Sequence, residues 1–218
     1  NDIIQGGSGA DSLTGGAGND IMTGNAGADT FNVDSSTDSI VDLTTTDILK
    51  VTSGAIANAT GISAFVATSD TTNGGAANLS GANTGITIDV TNSASGVYTI
   101  TGGTGADTLK GGTGADTISG GIGNDAITGN GGADIITGGS GSDTLTGNAG
   151  NDRFNVDSGT DTVTDLGGGS GGESDILVVS SGAIANATNV VNFSATSSTR
   201  NDGAANLTAK SSGGTIVM

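Results

Sequence analysis

The chain has 218 residues, 42 of them glycine, with four phenylalanines, one tyrosine, no cysteine, histidine, proline or tryptophan, and a formal net charge of −17. So little bulky apolar volume cannot fill an ordinary core, and chains with weak cores lean on disulfides or metals; without cysteine, the metal has to serve. Five Lys and Arg argue against a nucleic-acid partner, no run reaches the apolar length of a membrane span, and without histidine there is neither an HExxH zinc site nor a Ser-His-Asp triad.

In chain order, a clipped unit ending in Asp2, Ile3, Ile4 and Gln5 precedes three nine-residue units, GGSGADSLT, GGAGNDIMT and GNAGADTFN, over residues 6–32. Each has the form G-G-x-G-x-D-x-U-x, with U apolar. The period outlasts the glycines: VDSSTDSIV and DLTTTDILK place Asp38 and Asp47 at position 6 and Ile40 and Leu49 at position 8. Residues 53–101 alternate β-prone runs at 87–91 and 97–101 with Asn/Gly/Ser turns and read as further strands, while SGAIANAT at 53–60 reads as one helical turn or a loop. Six more units, GGTGADTLK, GGTGADTIS, GGIGNDAIT, GNGGADIIT, GGSGSDTLT and GNAGNDRFN, fill residues 102–155. VDSGTDTVT continues the frame with Asp161 and Val163. A Gly-rich insertion at 167–173 then displaces the next unit, leaving Asp175 and Leu177 as its equivalents. SGAIANAT recurs at 181–188, and GAANL occurs at 75–79 and 203–207.

The expected organisation is therefore a repeat array with degenerate cap units (1–52), a β-rich tail or connector (53–101), a second array with its cap (102–180) and a second tail (181–218) that repeats 53–90. The chain opens inside a repeat and stops at Thr215, Ile216, Val217 and Met218, so it is expected to be a piece of a longer protein. The G-x-S-x-G match at 168–172 lies in a Gly-rich insertion without a strand-to-helix pattern and is read as accidental. Sequons such as Asn58-Ala59-Thr60 carry little weight in so Asn- and Thr-rich a chain.

The unit has a physical reading. Three residues, x-U-x, make a strand that buries one apolar side chain, and six Gly-rich residues return the chain through φ > 0 conformations. Two units make one coil, so position-6 aspartates recur every 18 residues along one edge, about 4.8 Å apart. Two carboxylates at that spacing repel by roughly 1 kcal/mol even in water. A column of them needs a hard cation, and calcium, which takes six to eight oxygens from carboxylates and carbonyls, suits it. A flexible Gly/Ser linker would not hold an aspartate at strict period nine. The fold expected is all-β, a calcium-bound parallel β-roll or solenoid in two modules. Asp34, Asp42, Asp157 and Asp165 fall at other positions and read as exposed turn residues, Asp42 and Asp165 with carbonyls to offer.

The arrays, followed by T-D-x-x-x-D-L and D-I-L, resemble RTX proteins exported by type I secretion, the S-layer and other surface-structural members in particular. The resemblance implies a ligand set: the position 2 and 4 carbonyls and the aspartate of one unit, with the position 1 and 3 carbonyls and the aspartate of the unit 18 residues on. Carried onto this chain, one ion takes Gly103, Gly105, Asp107, Gly120, Ile122 and Asp125. The next takes Gly112, Gly114, Asp116, Gly129, Gly131 and Asp134. Two others take Gly121, Gly123, Asp125, Gly138, Ser140 and Asp143, then Asn130, Gly132, Asp134, Gly147, Ala149 and Asp152. In the first array the sets are Gly7, Gly9, Asp11, Gly24, Ala26 and Asp29, then Gly16, Gly18, Asp20, Val33, Ser35 and Asp38. Asp47 and Asp161 join as ligands of the degenerate units, for roughly eight to ten ions in all. Asn25, Asn130 and Asn148 replace the second glycine, and asparagine tolerates the left-handed region.

Two classes of function fit. The first is a non-enzymatic structural protein, secreted to a bacterial cell surface, whose calcium-loaded rolls assemble with copies of themselves into a layer, filament or adhesin, with cell-surface polysaccharide as a further partner. The second is the calcium-binding secretion module of an exported protease, lipase or polysaccharide epimerase. Tandem tail-bearing modules favour the first. The repeated segments 53–60 and 181–188 are expected to carry contacts between copies.

Overall fold

Position-8 side chains point inward because alternate residues of a strand face opposite sides. Leu13, Met22, Phe31, Ile40 and Leu49 in the first array, and Leu109, Ile118, Ile127, Ile136, Leu145, Phe154, Val163 and Leu177 in the second, are all 3% exposed or less. The computed structural model describes residues 1–94, 96–167, 174–191, 193–194, 199–209 and 216–217. Most of the insertion and the match at 168–172 therefore lie outside the described residues, which form strands and turns with no helix.

Strands of three residues occur at Ser12–Thr14 and Thr108–Lys110. Elsewhere in the arrays they are longer than expected, as at Thr117–Ile122 and Ala126–Gly131. The parallel ladder continues into the glycine turn, where Gly121 pairs with Gly103 on one side and Gly139 on the other.

All paired strands are parallel, and they stack into one solenoid. A long sheet of eleven strands runs from Ile3–Ser8 to Arg200–Asn201 without a break. Opposite it in the first array lies a four-stranded sheet ending at Thr72–Asn73, and in the second an eight-stranded sheet that begins at Ala64–Val66. The tail between the arrays is where one gives way to the other. A single coil there uses three faces: Ile56–Ile62 in the long sheet, Ala64–Val66 in the eight-stranded one, and Thr72–Asn73 in the four-stranded one. The second tail repeats the device, opening a two-stranded sheet with Phe193–Ser194 and Ile216–Val217. Coil length decides the number of faces. Partners sit 18 residues apart in the arrays, as Ile118 and Ile136 do, but 20 apart for Ala57 and Ala77 and 21 for Ala77 and Tyr98. In the first of these coils the extra residues supply the third side, Thr72–Asn73.

This corrects the reading of SGAIANAT. It is a strand in both copies, Ile56–Ile62 and Ile184–Val190, with the alanines of alternate positions buried (Ala57 and Ala59, Ala185 and Ala187). GAANL is its neighbour in the stack: Asn58 pairs with Asn78, and Asn186 with Asn206. The Asn78 amide donates to Asn58 Oδ1 at 2.7 Å and the Asn206 amide to Asn186 Oδ1 at 2.8 Å. The repetition of these segments thus has an internal cause in stacking and needs no contact between copies.

Asn78→Ala removes one rung of this amide ladder. In saturating calcium it should cost about 1 kcal/mol of stability, the usual worth of a part-buried hydrogen bond, read as a lowered midpoint in thermal or urea denaturation.

Candidate metal centre

The solenoid register carries the position-6 residues into columns. Along the long sheet the partners run Asp38, Ala57, Ala77 and Tyr98; on the opposite face Asp161 continues to Ala185 and Ala205. Within the arrays one bond repeats. The backbone N–H of each aspartate donates to Oδ1 of the aspartate one coil on: Asp2 to Asp20, Asp11 to Asp29, Asp20 to Asp38, Asp29 to Asp47. In the second array the ladder links Asp107 to Asp125, Asp116 to Asp134, Asp125 to Asp143, Asp134 to Asp152, Asp143 to Asp161 and Asp152 to Asp175. The degenerate units are therefore in frame: Phe31 pairs with Leu49, and Phe154 with Leu177 across the insertion.

The second carboxylate oxygen has another fate. Oδ2 of Asp11, Asp20, Asp38, Asp107, Asp125, Asp134, Asp143 and Asp161 is buried and accepts no hydrogen bond. A buried carboxylate oxygen without a donor is expensive unless a cation or a proton meets it. These oxygens lie against the position-1 glycines. A Cβ on Gly6 would sit 2.6 Å from Asp11 Oδ2 and 2.7 Å from the Gly24 carbonyl oxygen. One on Gly102 would overlap Asp107 Oδ2 and the Gly120 carbonyl, and one on Gly120 would overlap Asp125 Oδ2 and lie 2.5 Å from the Gly138 carbonyl. On Gly15 it would meet two carboxylates, Asp20 Oδ2 at 2.7 Å and Asp38 Oδ2 at 2.8 Å. Each array coil thus holds a cradle of converging oxygens that only glycine leaves open.

Many residues of the turns are left-handed. Gly7, Gly9, Gly16, Gly18, Gly103, Gly105, Gly121, Gly123 and Gly132 have positive φ, as do Asn25, Asn130 and Asn148 at 68°, 77° and 69°. The position-3 carbonyls of Ala26, Ile122, Ser140 and Ala149 each accept the position-4 N–H of the preceding coil, from Gly9, Gly105, Gly123 and Gly132. A carbonyl has a second lone pair to offer. Among the described residues no three acidic side chains gather into one group. Two carboxylates and several carbonyls per site are the chemistry of a calcium ion.

Some residues depart from expectation. Gly112 and Gly114 are not among the positive-φ glycines; the Gly112 N–H donates to Asp116 Oδ2 at 2.7 Å, and its carbonyl accepts from Gly131. Asp47 Oδ2 accepts both the N–H and the hydroxyl of Thr44 at 2.8 Å, and Asp175 Oδ2 accepts the Gly167 N–H. Asp34 and Asp157 are exposed, as read from sequence, but Asp42 and Asp165 are half-buried and use their carboxylates rather than carbonyls. Asp42 accepts the N–H groups of Gly24 and Asn25, and Asp165 those of Gly147 and Asn148. They brace the turns in which asparagine takes the left-handed conformation. Sequence reasoning missed the position-1 glycines Gly6, Gly15, Gly102 and Gly111, although glycine in every unit there was the signal. It also missed Gly139 and Gly141, counterparts of Gly16 and Gly18 in the duplicated module. The Gly139 carbonyl accepts the Ser158 hydroxyl as the Gly16 carbonyl accepts that of Ser35.

Burial and crowding make several of the column aspartates weaker acids than usual. Asp134 is pushed up to about 7 by burial and by the charges of Asp152 and Asp116, against the lowering effect of the Asp116 N–H. Asp161 also reaches about 7, chiefly by burial, with Asp143 and Asp157 adding repulsion. Asp38, Asp107, Asp125 and Asp143 are raised with burial as the leading cause.

The model of the RTX calcium-binding nonapeptide repeat, four copies long, matches residues 1–31, 99–127 and 128–163. Over these residues the chain carries RTX calcium-binding nonapeptide repeats. RTX repeats bind calcium and are typical of secreted proteins. No curated protein and no solved structure matches the chain significantly. In the first array the RTX match ends at residue 31, whereas the aspartate ladder continues to Asp38 and Asp47.

Gly120→Ala fills one cradle. Calorimetric titration should then show fewer bound ions, and the calcium midpoint of folding should rise by about tenfold, equivalent to about 1.4 kcal/mol. The pH dependence has a definite sign. Asp134 and Asp161 rise from 3.8 to about 7, so in chelator the folded roll holds protons that the unfolded chain releases, and stability falls as pH climbs from about 4 to about 7. Circular dichroism in chelator should show more β-structure near the acid end of that window than above it; a flat profile would contradict burial of these carboxylates.

Proposed function

We propose that this chain is a non-catalytic, structural part of a secreted bacterial surface protein, whose calcium-loaded rolls assemble with copies of themselves into a layer, filament or adhesin. The observation that carries the reading is the uninterrupted eleven-stranded sheet through two duplicated modules. At the usual strand spacing it makes a rod about 50 Å long. A rod of repeating modules suits spanning and tiling. The ten aspartate pairs of the ladder provide for roughly eight to ten ions. The pairs that include Asp47, Asp116 and Asp175 hold theirs most weakly, because backbone donors already meet those carboxylates. With a net charge of −17, subunits repel until calcium folds the rolls and neutralises their edges. Cell-surface polysaccharide is a second proposed partner, since the outward strand positions are rich in hydroxyls and amides, as at Thr99, Thr117, Thr144 and Asn155.

Light scattering on the folded chain at rising calcium tests assembly, with growth in particle mass expected. A calcium-saturated chain that stays monomeric at high concentration would favour the alternative, the secretion module of an exported enzyme. Asp38→Asn tests whether the degenerate unit holds an ion: the amide oxygen still accepts the Asp20 N–H, so β-structure in excess calcium should persist while one ion is lost from the stoichiometry.

A further inference from the structure

The two arrays and the tail between them are built on opposite chemistries. Residues 102–152 bury six aspartates and only five apolar side chains. Residues 53–101, a segment of similar length, bury thirteen apolar side chains and, among the described residues, no carboxylate. The difference arises in the position-6 column. Between Asp38 and Asp116 the column is occupied by Ala57, Ala77 and Tyr98.

Where the second array begins, its first cradles are plugged. In GANTGITID, residues 81–89, position 6 is Ile86, 3% exposed, and a Cβ on the position-1 Gly81 would overlap the Ile86 side chain and the Gly102 carbonyl. The Ile86 N–H donates to Asp107 Oδ1 just as an aspartate would. In residues 93–101 position 6 is Tyr98, fully buried, and its hydroxyl bonds the Ser93 hydroxyl at position 1, 2.5 Å away. The Tyr98 N–H donates to Asp116 Oδ1. Both edges of the second array therefore start from a coil that offers the ladder's backbone donor with an apolar or aromatic side chain in place of the carboxylate.

We infer that residues 56–101 are a calcium-independent block: they stay folded when calcium is withdrawn and present a preformed end on which the second array is laid down as ions bind. The inference rests on the reading of the arrays as calcium-dependent. Its physical basis is that removing the cation strands repelling buried carboxylates in the arrays, whereas the coils of this block, among the described residues, bury none and gain from apolar burial.

Hydrogen–deuterium exchange on the full chain, with calcium and with excess chelator, separates the two ideas. In chelator, peptides from 56–101 should exchange roughly a hundredfold more slowly than peptides from 6–32 and 102–152, reflecting their higher local opening free energy. Equal, rapid exchange across all three segments overturns the inference and leaves the calcium-dependence of the arrays standing. Arrays that stay protected in chelator overturn that dependence, and the inference with it. Ala77→Asp returns a carboxylate to the dry column. It should remove the protection of 56–101 in chelator, and a variant that exchanges there as slowly as the parent protein also overturns the inference.

Discussion

The structure depends on an aspartate whose two oxygens do different work. Oδ1 accepts the backbone N–H of the aspartate one coil earlier, at 2.7–3.0 Å along the second array. Oδ2 is turned into a glycine-walled cradle and, at most positions, meets no donor. The first contact locks register, because only the residue stacked one coil away can make it. That same lock stacks carboxylates at the strand spacing, about 4.8 Å, and so creates the demand for a cation. Register and ion binding are consequences of one side chain. This explains why every carboxylate of the ladder is Asp: a glutamate, one methylene longer, would carry its carboxylate beyond the backbone donor.

Coil length is the second control. Eighteen residues close a coil on two faces, and the 20-residue coil from Ala57 to Ala77 adds a third. The tail accordingly transfers the solenoid from one pair of sheets to the next while the long sheet continues. A second copy of the same module then repeats the transfer at the end of the second array. Two aspartates outside the period, Asp42 and Asp165, brace the last Asn-containing turn of each array by taking two adjacent N–H groups. Each array thus ends in carboxylates satisfied by backbone donors, and the second begins on side chains that carry no charge. Coils that bury carboxylates and coils that bury apolar side chains instead follow one another along one continuous hydrogen-bonded stack.

The nonad period by itself determined the inward-facing residues, Leu13 to Leu49 and Leu109 to Leu177, the aspartate columns and the parallel roll. These depend on a local spacing that repeats unchanged, so every unit reports the same strand and turn. It also placed Asp38, Asp47, Asp161 and Asp175 in frame where the glycines had gone. Tertiary structure decided the rest. That Ala57, Ala77, Ile86 and Tyr98 stand in the columns otherwise held by aspartate is visible only once strands 19 to 23 residues apart are paired, because a coil of changed length breaks the period from which register could be read. The partners of Asp42 and Asp165, and the open side of Gly6 and Gly102, were hidden for a related reason. They are contacts between successive coils, and nothing in a single unit states what the next coil will bring against it.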